Sequence, residues 1–215
     1  MKFDKTMLHT YFIAGTPDIP TGEALEDVVR QALDAGITAF QYREKGPNAL
    51  TGLRLLTMAQ RLQKLCGAYH VPFIVDNDVD LAHRLHADGV HVGQTDAAAA
   101  QVVAQVSQEM FIGLSCHTKA QIETANNIPG ISYIGSGAIY TSPSKASAPV
   151  IGLAGLTALT QISHRPIVAI GGINADNLKD LPATGVAGAA VISLIARSQD
   201  IAKTVTAMNA IDYSI

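Results

Sequence analysis

Residues 71–96 read VPFIVDNDVDLAHRLHADGVHVGQTD, and this stretch decides the fold class. A short apolar run at 73–75 is followed by a segment with helical spacing of apolar residues at 79–85, and then by a second apolar run at 89–92. A strand, a helix and another strand in close succession indicate a βα repeat whose strands run parallel.

The same alternation occurs eight times along the 215 residues. The predicted strands cover 9–14, 39–42, 73–75, 89–92, 111–114, 133–136, 166–170 and 189–192. The predicted helices cover 21–35, 48–69, 79–85, 97–107, 118–126, 153–161, 174–181 and 200–208. Thr21, Asn48, Thr118 and Asn174 stand where helix N-caps are expected.

Eight βα units in one chain of this length predict an α/β fold, a single-domain (β/α)8 TIM barrel over residues 1–215, because that fold requires roughly 200 residues or more. An open doubly wound sheet is the alternative. It is expected to carry G-x-G-x-x-G after its first strand, but the chain reads Gly15-Thr16-Pro17 there.

The composition limits the classes of partner. The chain is 48% hydrophobic and 15% charged with a formal charge of -3, which argues against a nucleic-acid-binding surface. Charges within the first five residues argue against a secretory signal, and the longest apolar stretch, 185–196, is shorter than the roughly 20 residues of a membrane span. We therefore expect a cytoplasmic protein that binds neither nucleic acid nor membrane.

Polar residues just past the predicted strands should meet at one rim, because parallel barrel strands all end on the same side. They are Arg43, Lys45, Asp76, Asn77, Asp78, Gln94, Asp96, Ser115, His117, Ser142, Ser144, Lys145, Gly171, Gly172 and Ser193. Three cations, several carboxylates and exposed backbone amides at one rim suit a phosphorylated small-molecule substrate with a divalent cation. Mg²⁺ is expected to sit among the carboxylates, which would otherwise repel an anion.

Two phosphate sites are indicated, each with a simpler alternative. Gly171 and Gly172 stand where barrels bind phosphate through backbone N–H groups, although they could merely permit a tight turn. Arg43 and Lys45 would face one side of an extended segment as a second cluster, or form solvated ion pairs at a strand end. Lys145 lies in a long polar connection that is either a lid or a plain surface loop.

Two side chains near this rim have other expected roles. His91, within Gly-Val-His-Val-Gly, is predicted to be a hydrogen-bonded core histidine, whereas the role of His117 stays open. Cys116 is expected to be a buried apolar residue, since the two cysteines of the chain show no metal-binding or redox spacing.

With these residues in place, the chain resembles the thiamine phosphate synthase family over nearly its whole length. The matching segments are QYREK at 41–45, HADGVHVGQTD at 86–96, IGLSCHT at 112–118, YIGSGAIYTSPSK at 133–145, IGL at 151–153, VAIGGI at 168–173 and GAAVISLI at 188–195. The resemblance implies an enzyme that joins aminomethylpyrimidine diphosphate to a thiazole phosphate and releases pyrophosphate. It implies dissociative chemistry without a side-chain nucleophile.

The resemblance also implies roles for individual residues. Arg43, Lys45, Ser115 and Lys145 would hold the diphosphate as the catalytic set. Further implied substrate contacts are Gln41, Tyr42, Glu44, Asp76, Ser142, Pro143, Ser144, Gly172, Ile192 and Ser193, of which the last three, with Ser142 and Ser144, form the thiazole-phosphate site. Asn77 and Asp96 would ligate Mg²⁺.

One segment departs from the family pattern. Where the family usually has Asn-Asp after the third strand, this chain reads Asp76-Asn77, so a neutral amide stands at a magnesium-binding position. Asp76 or Asp78 could supply the missing charge. A thiazole tautomerase and a phosphate-binding barrel without catalysis remain alternative functions, and assembly into a homo-oligomer stays open.

Overall fold

The computed structural model describes residues 1–94, 99–106, 110–141 and 149–214. Eight parallel strands in this part of the chain form a closed barrel in sequence order, with β8 hydrogen-bonded to β1. They are β1 Thr10–Ala14, β2 Ala39–Tyr42, β3 Phe73–Asp76, β4 Gly89–Val92, β5 Phe111–Ser115, β6 Ile131–Ser136, β7 Ile167–Ile170 and β8 Gly188–Val191. This arrangement confirms the predicted (β/α)8 barrel, and it brings the carboxyl ends of all the strands to one rim.

Helices surround the barrel. They are α1 Leu25–Asp34, α2 Gly52–Ala68, α3 Val79–Leu85, α4 Ala99–Gln105, α5 Lys119–Asn126, α6 Gly152–Ile162, α7 Ser193–Ala196 and α8 Ile201–Asn209. The predicted cap at Thr118 is confirmed, because its side chain accepts a hydrogen bond from the N–H of Gln121. The caps predicted at Thr21 and Asn48 are wrong: α1 follows Ala24 and α2 follows Thr51, while Asn48 adopts a left-handed φ of 64°.

The helix predicted at 174–181 is also wrong. The chain instead forms two short 3-10 turns, Leu178–Asp180 and Pro182–Thr184. Pro182 has no N–H to donate to a preceding helical turn, which limits continuation of a helix through this segment. The Asn174 side chain still accepts hydrogen bonds, from the N–H groups of Asp176 and Asn177, but it does so to fix the loop.

The core has two parts. The larger lies between the outer faces of the strands and the helices. The smaller fills the barrel interior and is made of Leu8, Tyr11, Ile13, Ala39, Ile74, Phe111, Tyr133, Val168 and Ala190. Leu8 belongs to a 3-10 turn that precedes β1, so the amino end of the barrel is filled while its carboxyl end opens into a cavity. Within the described residues, no helix combines the length and apolar character that crossing a bilayer requires.

Candidate active site

A cavity of about 140 Å³ opens at the carboxyl rim of the barrel. Nine of the residues predicted at the rim or implied by the family resemblance line it, namely Gln41, Arg43, Asp76, Ser115, His117, Gly171, Gly172, Ile192 and Ser193. They come from five different strands or the loops that follow them. The rim argument therefore places residues that are distant in sequence around one opening.

Arg43, Lys45 and Asp76 form a charged cluster on one side of this opening. The Nζ of Lys45 lies 2.9 Å from Oδ2 of Asp76, and the Nε of Arg43 lies 3.8 Å from the same oxygen. They meet because β2 and β3 are paired in parallel, with Tyr42 opposite Val75, so both strands end at the same level. Two cations share one carboxylate, so these three side chains together carry one excess positive charge.

Glu44 and Tyr42 lie away from the cavity lining. The Glu44 carboxylate accepts hydrogen bonds from the N–H groups of Thr16 and Leu50, at 3.1 and 2.8 Å, and so joins two rim loops. This is the alternation expected of the segment, with Glu44 opposite the two cations. Tyr42 is 2% exposed and packs near the ring of Phe73 in the layer between barrel and helices, where burial raises its pKa.

Ser115 ends β5 and faces the cavity beside His91. Its Oγ lies 2.9 Å from Nε2 of His91, and its carbonyl oxygen accepts a hydrogen bond of 2.7 Å from Gln94. The neighbouring Cys116 is fully buried, and this burial raises the pKa of its thiol to about 12. A thiol with that pKa stays protonated at neutral pH, in agreement with the absence of a predicted attacking role for Cys116.

The opposite side of the cavity is built from backbone. Gly171 and Gly172 have φ angles of 99° and 71°, which favour glycine. A Cβ on Gly172 would lie 2.6 Å from the carbonyl oxygen of Tyr140 and 2.7 Å from that of Thr141, so this turn requires glycine for space as well. Nearby, α7 begins at Ser193, and the first N–H groups of a helix lack partners within the helix. Backbone donors thus line a corner suited to phosphate.

The carboxylates near β3 have separable roles. Asp78 accepts a hydrogen bond of 2.8 Å from the N–H of Leu81 and caps α3. A contribution of its charge to a metal site stays a prediction. Asp76 lines the cavity, and Asn77 follows it with a left-handed φ of 63°. No cluster of three or more His, Cys, Asp or Glu residues suited to a metal occurs within the described ranges. One rim carboxylate is nevertheless compatible with Mg²⁺, which often completes its shell with substrate oxygens and water.

Five predicted site residues lie outside the described residues: Asp96, Ser142, Pro143, Ser144 and Lys145. Asp18, in contrast, lines the cavity and was missed by the sequence analysis. It follows β1, so the rule used for the other strand ends would have found it. Burial raises the pKa of its carboxyl group, which accepts a hydrogen bond from the N–H of Gly15.

Comparisons with known proteins agree with this geometry. The family model described as thiamine monophosphate synthase matches residues 10–195. A thiamine-phosphate synthase from Lactiplantibacillus plantarum is 52% identical, with 97% of this chain and 96% of the relative covered. The one from Leuconostoc citreum is 47% identical, with 95% and 96% covered. The structure of a thiamine phosphate pyrophosphorylase from Pyrococcus furiosus superimposes with a TM-score of 0.82 at 32% identity, with 95% of each chain covered.

The matches run through the charged cluster, Ser115 and the glycine turn, and the family match alone covers well over half of the chain. The chain therefore belongs to the thiamine monophosphate synthase family.

Proposed function

We propose that this protein is a thiamine-phosphate synthase. It transfers the pyrimidinylmethyl group of 4-amino-2-methyl-5-(diphosphooxymethyl)pyrimidine to the ring nitrogen of a thiazole ethyl phosphate, and releases pyrophosphate. The observation that carries the proposal is the pairing, across one cavity, of the Arg43–Lys45–Asp76 cluster with the glycine turn at Gly172. These are two anion sites of different chemistry, as two phosphorylated substrates require.

The charged cluster would act on the leaving group. As the carbon–oxygen bond to the diphosphate breaks, negative charge accumulates on the departing oxygen, and fixed cations stabilise that charge more than they stabilise the bound substrate. Arg43 offers a planar donor set, whereas Lys45 offers a point charge held by Asp76. Ser115 also lines the cavity, and its hydroxyl would donate a hydrogen bond to the diphosphate.

The glycine turn would hold the second substrate. Backbone N–H groups near Gly172, Ile192 and Ser193 provide donors for a phosphate, and Ser142 and Ser144 are proposed to complete this site. Holding the thiazole nitrogen near the pyrimidine carbon makes capture of the cation nearly unimolecular, and this favours the thiazole over water. Neither Cys116 nor Ser115 is needed as a nucleophile, since the bond to nitrogen forms directly.

Asp76, Asn77 and Asp96 are proposed to hold Mg²⁺, and Lys145, with Pro143 beside it in the same connection, is proposed to reach the diphosphate. When bound, the metal would neutralise diphosphate charge. The remaining parts of the proposal are that residues 1–215 form one catalytic domain, that the protein acts in the cytoplasm, and that it binds neither nucleic acid nor membrane. A homo-oligomer is compatible with this function.

The test is to incubate purified protein with both substrates and Mg²⁺, and to separate the products by chromatography. Formation of thiamine phosphate together with an equal amount of pyrophosphate is the expected result. Isomerisation of the thiazole phosphate without consumption of the diphosphate would instead identify a tautomerase. Tight binding of thiazole phosphate in titration calorimetry, without any turnover over a range of divalent metals, would identify a phosphate-binding protein.

A further inference from the structure

A continuous chain of five hydrogen-bonded side chains lies inside the barrel, and four of the five line the cavity. Gln41 Nε2 donates to the Tyr11 hydroxyl at 2.7 Å, and the hydroxyls of Tyr11 and Tyr133 are 2.8 Å apart. The Tyr133 hydroxyl lies 3.0 Å from Nδ1 of His91, whose Nε2 lies 2.9 Å from Ser115 Oγ. These hydrogen bonds begin at Gln41, an implied substrate contact, and end at Ser115, the residue assigned to the diphosphate.

Glycines in β5 and β6 make room for this chain. Strand pairing places Gly113 between His91 and Tyr133. A Cβ on Gly113 would lie 2.4 Å from His91 Nδ1 and 2.4 Å from the Tyr133 hydroxyl, and one on Gly135 would lie 3.0 Å from His91 Cε1. The sequence therefore forgoes side chains at these two interior positions, and the imidazole and phenol rings occupy the space.

The hydrogen bonds along these five side chains have a preferred direction. An amide nitrogen only donates, so the Tyr11 oxygen accepts from Gln41. The bond between the two tyrosine hydroxyls can run either way, and the direction in which Tyr11 donates to Tyr133 is the one that lets Ser115 donate at the cavity. Tyr133 in turn directs its proton to Nδ1 of His91. A neutral imidazole that accepts at Nδ1 carries its proton on Nε2, and that proton points at Ser115 Oγ. Ser115, having accepted this bond, keeps its own proton for a donor role at the cavity.

The burial of the two tyrosines maintains this order. Tyr11 is 1% exposed and Tyr133 is 0% exposed, and the loss of water around them raises the pKa of both hydroxyls above the ordinary range. Both therefore remain protonated and able to donate. The opposite direction would make Ser115 donate to His91 and turn oxygen lone pairs toward an anionic substrate, which is unfavourable.

We propose that His91 is a positioning residue for the transfer reaction: held in the Nε2–H tautomer by Tyr133 and Tyr11, it orients the Ser115 hydroxyl as a hydrogen-bond donor to the leaving diphosphate. This inference rests on the proposed function. It adds to the residues that touch the substrate a relay, formed by Tyr11, Tyr133 and His91, that sets the direction of the hydrogen bond made by the Ser115 hydroxyl.

The first test reads the tautomer in the resting protein, without substrate. Protein labelled with ¹⁵N at histidine is examined by heteronuclear NMR, and the His91 signals are assigned by their absence from His91→Gln. A neutral ring with a protonated Nε2 and a bare Nδ1 is expected. A ring protonated at Nδ1 would overturn the inference. Because no turnover is measured, this result is independent of whether the proposed function is correct.

The second test is kinetic and uses protein that forms thiamine phosphate. Replacing His91 with leucine should lower kcat by about tenfold to a hundredfold with little change in the KM for the diphosphate substrate, since the lost donor acts on charge that develops in the transition state. His91→Gln, whose amide nitrogen can occupy the place of Nε2, should recover most of this loss. Equal losses in the leucine and glutamine variants would contradict the proposal, and His164→Gln, at an exposed histidine, is the control.

A double-mutant cycle separates positioning from a structural role. If His91 acts through Ser115, then His91→Leu should cause less than about a threefold further loss in a Ser115→Ala background. If the double variant instead loses kcat by the product of the two single losses, the proposal is overturned.

Tyr133→Phe preserves the ring and serves if the leucine variant fails to fold. It should mix the two His91 tautomers in the NMR spectrum and lower kcat severalfold. Tyr69→Phe, at an exposed tyrosine bonded to Asp34, is its matched control, and an unchanged His91 tautomer in Tyr133→Phe would contradict the relay.

Discussion

The Nζ atom of Lys45 lies 2.9 Å from Oδ2 of Asp76, whose side chain is only 9% exposed. The carboxylate is thus largely shielded from water, and it fixes the position of the Lys45 ammonium group, whose side chain is 42% exposed. An ordinary surface ion pair contributes little, but a pair in which one partner is nearly buried depends more strongly on its counter-charge. The relationship links the stability of the rim to the position of a cation proposed to hold diphosphate.

We expect Lys45→Met and Asp76→Asn to be coupled in folding stability. Lys45→Met leaves the buried carboxylate with Arg43, which is 3.8 Å away, and should lower the free energy of unfolding. Asp76→Asn removes the charge that requires pairing, so the double variant should recover about 1–2 kcal/mol relative to additivity. Urea unfolding of the four proteins measures this coupling energy. A coupling energy near zero would mean that the pair makes no contribution to stability.

Arg43→Ala should remove one donor to the diphosphate. A hydrogen bond to a charged group contributes about 1.5–3 kcal/mol, so kcat/KM for the diphosphate substrate should fall roughly tenfold to a few hundredfold. Arg43→Lys keeps the charge but loses the planar donor set, so its kcat/KM should lie between those of the alanine variant and the wild type. Arg61→Ala, at an exposed arginine of α2, is the control. A near-normal rate for Arg43→Ala would remove Arg43 from the site.

Gly172→Ala tests the backbone phosphate corner. The added Cβ would meet the carbonyl oxygens of Tyr140 and Thr141 at 2.6 and 2.7 Å, in addition to the strain of a φ of 71°. We expect thiazole-phosphate affinity, measured by calorimetry, to fall at least tenfold. Gly52→Ala separates the two effects, because Gly52 has a similar φ of 57° but open space around its Cβ position. It should show the cost in stability, about 1 kcal/mol, without loss of affinity.

Features set by the pattern of apolar residues were predictable from the sequence, whereas features set by individual hydrogen bonds were mostly not. The strands were predictable because each is a short apolar run bounded by turn residues, and parallel closure then dictated which residues share the rim. The failure at Thr21, Asn48 and 174–181 has a different origin, since caps and short turns depend on local hydrogen bonds that composition does not reveal. The relay through His91 was predictable only as a buried histidine, because its partners Tyr133 and Ser115 are brought to it by strand register.

Asn77→Asp tests the metal proposal, because the variant should bind Mg²⁺ more tightly than the wild type. The variant places a carboxylate at a position where the family resemblance implies one, and aspartate tolerates the left-handed φ of 63° seen at Asn77. The Mg²⁺ concentration for half-maximal rate should fall severalfold, whereas Asp96→Ala should raise it strongly. Removal of divalent ions with a chelator should abolish turnover of the wild type. Titrations that are unchanged in both variants would exclude residues 77 and 96 from metal binding.

Asp18→Asn should stabilise the protein at neutral pH. Burial raises the pKa of Asp18 in the folded state, so the folded protein binds this proton more tightly than the unfolded chain does. Its contribution to stability is therefore fully present below the unfolded pKa of about 3.9 and is lost as the pH rises through the folded pKa. At pH 7 the ionised carboxylate carries its full desolvation cost, which asparagine avoids while its carbonyl can still accept from the N–H of Gly15.

Thermal unfolding should show a higher Tm for the variant at pH 7 and a shrinking difference as the pH falls toward 4. Asp176→Asn, at an exposed position, should differ from the wild type by less than about 0.5 kcal/mol at neutral pH. A lower Tm for Asp18→Asn at pH 7 would mean that attraction to Arg43 and Arg197 outweighs the cost of burying the charge.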